Sequence, residues 1–360
     1  YSEALDVVEQ LRNLVPEDIE LEEIRNTLIS NMGDSLLNIA LTMIVKNESE
    51  NLRECLEAAA PIVNQIIVVD TGSEDNTVDI AKSFEAEVFE FKWNDDFAEA
   101  RNFALSKSGC DWNLILDADE VITNVTKEQL LEYARLNPSK VGRINIRSKF
   151  DDNGEIKYSN ARVSRFAPRG VRFTGRIHEQ LDLSYPRFDT EISVEHSGYF
   201  KKDKPERNIN MLLKELEDYP EDSYYIYQIA KSMFGAKRYR EADEYFEKGL
   251  GIMTLDMPYS KDFLVSYIYN CIAGNMIEKV LYIEDILKNN FSDSADLNFA
   301  YGIFCMELAK MNPQKYMDYI MKIESSYLRC LEIGESKDTI TEGNGSYFAA
   351  YNLGVFYEVT

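Results

Sequence analysis

Three apolar runs, each ending in an acid or an amide, set the pattern of the first two hundred residues. Residues 39–45 (IALTMIV) are apolar almost throughout, which predicts a central strand covered on both faces, and Asn47, Glu48 and Ser49 follow it. Residues 65–70 (QIIVVD) repeat the arrangement and run into Thr71-Gly72-Ser73, and residues 112–116 (WNLIL) run into Asp117-Ala118-Asp119-Glu120. A further strand is predicted over 87–91 (EVFEF). Helical spacing of apolar positions fills the gaps, over 51–60, 77–84 and, after Val121, 127–136. Strands alternating with helices through short connections predict a parallel α/β sheet with right-handed crossovers.

The pattern then changes twice. Strand-like segments at 142–150 and 158–166 flank Asp151-Asp152-Asn153-Gly154, whose Asn-Gly pair predicts a hairpin. Next come VRFTGRIHEQLD at 171–182 and a strand reaching Val194-Glu195-His196, so the sheet should close with antiparallel strands. Beyond Lys201 the strands stop, KKDKPERN reads as a linker, and the remainder reads as helix. Residues 224–250 place Tyr, Ala, Gly and Phe at the spacing of a tetratricopeptide helix-turn-helix, and SYFAAYNLGVFYEV near the end reads as the first helix of another copy. Such hairpins stack into surfaces for peptides or for self-association, or simply cap a neighbouring domain. Leu5, Val8, Leu11 and Val15, then Leu21, Ile24 and Leu28, predict a lead-in helical hairpin. The expected organisation is therefore a lead-in over 1–35, a sheet domain over 36–200 and a helical domain over 201–360.

Charge removes some partners. Sixty-three acids against 39 Lys and Arg leave a net charge of −24, which argues against broad contact with nucleic acid or anionic membrane. No apolar run approaches the ~18–20 residues needed to cross a bilayer. Cys55, Cys110, Cys271, Cys305 and Cys330 are scattered and odd in number, which fits a reducing cytoplasm and small buried side chains rather than a disulfide framework. A cytoplasmic protein is expected. The chain opens on Tyr1 and stops at Thr360 inside a helical pattern, which suggests trimming from a longer product.

The candidate chemistry sits at the strand ends. Ligands of open α/β sheets bind outside the carboxyl ends of the strands, and Glu48, Asp70, Asp117 and Asp119 all fall there. Asp-Ala-Asp leaving a buried strand can bring both carboxylates to one hard cation, Mg²⁺ or Mn²⁺, shared with substrate phosphates. Arg101, in WNDDFAEARNFAL, is either a surface ion-pair partner or a guanidinium turned toward diphosphate or base. Of the two histidines, His178 lies beside Glu179 and is expected to return toward the acids, whereas His196 reads as a hydrogen-bonded structural residue.

With these residues in view, LTMIVKNES, IIVVDTGSEDNTVDIAKSF, WNDDFAEARN, LILDADE and FTGRIHEQ resemble the blocks of family 2 glycosyltransferases of the GT-A fold, in the bacterial branch with a tetratricopeptide tail. Bacteriocin S- and O-glycosyltransferases, which glycosylate Cys or Ser of a small peptide, share this layout, and so do general cell-surface and protein glycosyltransferases of the branch. The resemblance implies a nucleotide-diphospho-sugar transferase fold with a Rossmann-like mixed sheet, a UDP-sugar donor, an Mg²⁺ or Mn²⁺ ion and inverting transfer to a peptide or protein acceptor. Thr42 to Val45 would line the nucleotide pocket, with Asn47, Glu48, Gly72, Arg101 and Ala118 around it and Asp70 accepting from uracil. Asp117 would lie near ribose and metal, Asp119 would bind the metal, and His178 would be the third ligand. Glu179 is the first candidate for the base that deprotonates the acceptor and Glu120 the second. Two other readings stand beside this one: transfer to a cell-surface glycan or lipid-linked acceptor, and a non-catalytic repeat scaffold with a retired transferase domain, which would show a damaged Asp-Ala-Asp or His-Glu pair.

Overall fold

A computed structural model describes residues 37–360 apart from 153, 197–204, 291–292 and 337–338, together with the helical positions 7, 8, 11, 21, 24 and 27. Most of the expected lead-in hairpin, Asn153 of the expected turn and the first half of the linker therefore lie outside the described residues. The chain divides into two compact units. One comprises Tyr1–Arg147, Arg162–Gly175 and Glu179–Gly198, the other Ser148–Ala161, Arg176–His178 and Tyr199–Thr360.

The first unit is built on β1 (Ile39–Val45), α1 (Leu52–Ala59), β2 (Gln65–Asp70), α2 (Thr77–Ser83), β3 (Glu87–Glu90), α3 (Phe97–Lys107) and β4 (Trp112–Ile115). It continues with β5 (Glu120–Ile122), α4 (Lys127–Leu136), β6 (Val141–Asp152) and β7 (Glu155–Pro168), whose shared hairpin end, Ser148–Ala161, belongs to the second unit, and then β8 (Phe173–Thr174), β9 (Gln180–Leu181) and β10 (Arg187–His196). Eight strands form one mixed sheet in the order β3-β2-β1-β4-β7-β6-β10-β5, and β8 and β9 pair separately. The β1, β2, β3 and β4 strands run parallel, with Val45 opposite Asp70 and Thr42 opposite Ile115, so their carboxyl ends share one edge.

Burial explains the apolar runs. Leu41, Met43 and Val45 of β1 pack with Val68 and Leu114 against Leu52, Cys55 and Leu56 of α1 on one face, while Ile67 and Val69 meet Ala104 of α3 on the other. A strand covered on both sides has no polar face to alternate. Beyond β4 the pairing turns antiparallel, with Leu114 opposite Phe166, and Trp112 stacks on Phe166 at 4.6 Å. The short strand β5 was not legible as a strand: three residues directly after a turn carry too little period to be read.

The second unit is mainly helical: α5 (Pro205–Asp218), α6 (Ser223–Gly235), α7 (Tyr239–Ile252), α8 (Ser260–Ala273), a 3₁₀ segment Ile277–Ile283, α9 (Glu284–Asn290), α10 (Ala295–Met311), α11 (Asp318–Ile333) and α12 (Tyr347–Val359). The expected helix-turn-helix is α6 and α7. Asp222 caps α6 by accepting from the N–H groups of Tyr224 and Tyr225, and Lys237 takes φ 60° in the turn. Phe246 of α7 packs edge-on against Phe263 of α8. One strand-like contact amends the expectation that strands stop at Lys201. Thr341 bridges Ser159 of the β6–β7 hairpin, with Asn160 N–H donating to Ile340 at 2.8 Å and Glu342 N–H to Tyr158 at 3.0 Å. No helix among the described residues is long and apolar enough to cross a membrane.

Candidate active site

The segment after β4 alternates in burial as it leaves the sheet. Leu116 and Ala118 face the apolar core beside α1, so Asp117 and Asp119 point the other way. The turn locks itself: Glu120 N–H donates to the Asp117 carbonyl at 3.1 Å, and the Asp117 N–H donates to Glu120 Oε2 at 2.9 Å. Cys55, buried under this turn, directs its thiol at the Asp117 carbonyl, and burial together with Glu120 pushes that thiol far up from its ordinary pKa.

Two arginines clamp Asp117. Arg101 Nη2 of α3 donates to Oδ1 at 2.8 Å and Arg165 Nη2 of β7 to Oδ2 at 3.0 Å. Arg101 also pairs through Nε with Glu179, and its guanidinium lies 5.6 Å from the centre of the Phe173 ring. Arg101 is 5% exposed and Arg165 9%. Burial pushes the Asp117 carboxyl up, but the two guanidiniums outweigh it and hold the acid far below its usual range. Nη1 of each arginine is buried without a hydrogen-bond partner. Glu120, 3% exposed, responds oppositely: burial raises its pKa, Arg165 at 3.8 Å lowers it, and the Asp117 charge raises it again, for a net rise.

Asp119 has 22% of its side chain exposed against 33% for Asp117, but it meets no arginine among the described residues: its Oδ2 lies 3.2 Å from His196 Nε2. The sheet supplies this pair. Strand β10 runs antiparallel to β5 with His196 opposite Glu120, so the last residue of β10 meets the residue after Asp119.

The loops after β1 and β2 brace each other beside this rim. Asn47, at φ 55°, donates its N–H to Ser73 Oγ at 2.9 Å, and its side-chain oxygen accepts from Glu74 N–H at 2.7 Å. Glu48 N–H donates to Thr77 Oγ1 at 2.7 Å, and Thr71 donates to the Val45 carbonyl. Asp70 accepts from the N–H groups of Gly72 and Ser73, and Gly72, at φ 105°, makes that tight turn possible.

The placement of the sequence-derived residues is thus mixed. Asp70, Asn47, Glu48 and Gly72 form the braced rim, while Thr42 is buried within β1 with its hydroxyl unpartnered, and Ala118 is buried in the core. Arg101 is an ion-pair partner, but a buried one rather than a surface one, held inside by Asp117 and Glu179. Asp117, expected to share a cation, has both oxygens on arginines. No group of three or more His, Cys, Asp or Glu side chains among the described residues is arranged to hold a metal ion. His178, at φ 51° and exposed, falls in the second unit, where its carbonyl faces the Tyr224 hydroxyl at 3.5 Å. Sequence reasoning did not single out Arg165, although an arginine inside the alternating strand 158–166 is a visible signal, and it left His196 as a structural residue. Asp119 is an oxygen donor of the kind Mg²⁺ and Mn²⁺ favour, and it fits the implied ion; the His196 imidazole beside it is a nitrogen donor, which suits Mn²⁺ better than Mg²⁺.

Fold and rim together define an α/β domain with an acid-tipped strand edge, followed in sequence by helical hairpins. Residues 41–188, the α/β part of the chain, match the glycosyl transferase family 2 model. The chain is similar to the SPbeta prophage-derived glycosyltransferase SunS of Bacillus subtilis strain 168, at 25% identity over 297 residues, covering 78% of this chain and 70% of SunS. It is also similar to a TPR repeat-containing protein of Synechococcus elongatus, at 28% identity over 61% of this chain and 58% of that protein. Among solved structures, glucosyl-3-phosphoglycerate synthase from Mycobacterium tuberculosis, in complex with Mn²⁺, UDP and glucosyl-3-phosphoglycerate, matches with TM-score 0.27 and 18% identity over 35% of this chain and 48% of that one.

Proposed function

We propose that the chain is an inverting, divalent-cation-dependent glycosyltransferase that moves a hexose from a UDP-sugar to a Ser, Thr or Cys side chain of a peptide or protein. The observation that carries this reading is the pairing of Asp119 with His196 beside an arginine-clamped Asp117, on the edge where the parallel strands end. The similarity to a glycosyltransferase, SunS, over most of the chain supports it.

In this reading Asp119 and His196 would hold the cation, and the ion would supply positive charge to offset the negative charge growing on the departing UDP. Arg101 and Arg165 fix Asp117 so that the turn bearing Asp119 cannot reorganise during transfer. Asp70 keeps lone pairs for a ligand N–H, and the braced loops around Asn47 and Glu48 leave little freedom for the nucleotide site to lose on binding. Glu179, oriented by Arg101 through one oxygen, would be the base, with its second oxygen left to take the acceptor's proton. A thiol acceptor would ask less of that base than an alcohol. Glu120 is too deeply buried to meet an acceptor and acts by holding the Asp117 N–H.

The test is UDP release from a panel of UDP-sugars with Mn²⁺ or Mg²⁺, with and without chelator. Slow, chelator-sensitive hydrolysis of one donor is expected, reduced by at least ~10²-fold in Asp119→Ala. Chelator-insensitive release, or an unimpaired variant, would overturn the reading. Acceptor class is read from the hexose mass added to Cys- and Ser-containing peptides.

A further inference from the structure

The second unit contains a cavity whose lining runs against the charge of the chain. It has a volume of about 330 Å³ and lies among α9, α10 and α11. Leu287 and Leu297 supply apolar surface, and Lys288, Lys322 and Arg329 supply three cations, in a protein of net charge −24. Concave positive sites of this kind focus field on an incoming anion.

The cations are held in place. Glu284 Oε1 accepts from Lys288 Nζ and from Lys322 Nζ, each at 2.9 Å, and from the Tyr301 hydroxyl, while Oε2 accepts from the Tyr319 hydroxyl at 2.9 Å. Lys322 Nζ also lies 3.6 Å from the centre of the Tyr319 ring. Glu284 therefore fixes two ammonium groups on one oxygen and cancels only one of their charges. Each ammonium has three N–H donors, and one suffices for Glu284. Arg329, which pairs at 2.9 Å with Glu332, an exposed neighbour on the same helix, adds a third cation to the lining. The cavity is thus a preorganised anion site, where little side-chain freedom is left to lose when a ligand arrives. A bare inorganic ion would leave the leucine surface unused, whereas a carboxylate carried on a peptide would cover it.

We infer that this cavity binds a peptide carboxylate, from an Asp or Glu side chain or a C-terminus, with a neighbouring apolar side chain seated on Leu287 and Leu297. The inference deepens the peptide-acceptor reading and rests on it for the identity of the peptide, while the binding itself needs neither donor nor cation.

The test uses the full chain and leucine-rich five-residue peptides carrying an N-terminal dansyl group, an uncharged label, with Asp or Asn in the middle and a free or amidated C-terminus. Anisotropy is measured without UDP-sugar. Peptides with a carboxylate are expected to bind at least about tenfold more tightly than the Asn, amidated form, and Lys322→Met and Arg329→Gln each to weaken them about tenfold. Which of the two carboxylates matters is read from the two single-carboxylate arms. Arg329→Gln, on the exposed rim, keeps the test alive if Lys322→Met does not fold by circular dichroism. Equal binding of all four peptides, unchanged binding in the folded variants, or displacement by inorganic phosphate at the peptide's own concentration would overturn the inference. Absent peptide binding with intact UDP release would refute this site alone, and the converse would refute the transferase reading alone.

Discussion

His196 Nε2 stands 3.2 Å from Asp119 Oδ2 because the antiparallel ladder sets His196 opposite Glu120. Burial by itself would lower the imidazole's pKa, but the hydrogen bond and charge of Asp119, reinforced by Glu120 and Asp117, raise it above the ordinary value. A histidine so placed either serves a cation jointly with Asp119 or, in its absence, acts as the positive partner itself.

His196→Ala is expected to lower cation-stimulated UDP release by about 10- to 100-fold and to raise the Mn²⁺ concentration needed for half-activation. His178→Ala is measured alongside it. A larger loss in His178→Ala would return the ligand role to the histidine favoured by the sequence and displace His196.

Arg101 joins Asp117 to Glu179 from inside the domain. Arg101→Met leaves two carboxylates facing a buried gap, and the expected cost is about 3–5 kcal/mol, read from the urea midpoint. Arg101→Lys restores charge without the planar fork, so stability should recover further than turnover. Unchanged stability in Arg101→Met would show that the clamp contributes nothing.

Glu284 should make the protein acid-sensitive. Burial opposes ionisation, yet hydrogen bonds from Tyr301, Lys288, Lys322 and Tyr319 bring its carboxyl from 4.5 down to about 2. The folded state therefore binds this proton less readily than the unfolded chain. Its stabilisation is complete above pH 4.5 and is lost as the pH falls toward 2. Because the site is partly exposed, the effect is on the order of 1 kcal/mol after solvent screening. Melting curves of Glu284→Gln should show a correspondingly shallower acid limb, by about 2–4 °C; superimposable limbs would contradict the assignment.

Gly249 reports on packing in the helical unit. A Cβ there would meet the Phe263 ring at 2.6 Å, and that ring is fully buried against Phe246. Gly249→Ala is expected to cost about 1–3 kcal/mol. An unchanged urea midpoint would mean that the ring relaxes freely.

Much of the sheet domain was legible because its signals are local. The runs IALTMIV and QIIVVD become β1 and β2 with the expected bounds, and the helix over 127–136 is α4, its start marked by the capping box between Thr126 and Gln129. The strand-end position of Asp70, Asp117 and Asp119 follows from the same runs, since a parallel sheet gathers its carboxyl ends on one edge.

What the sequence determined by itself, then, is the succession of elements and the acids at their ends, because apolar period and turn chemistry act within a few residues. The partners of those acids came only with the tertiary structure. Arg165 reaches Asp117 because β7 pairs antiparallel with β4, and His196 reaches Asp119 because β10 pairs with β5, across separations of 48 and 77 residues. Pairing register over such distances is set by which side chains the two faces of the sheet can bury together, a property of the assembled core rather than of any one segment.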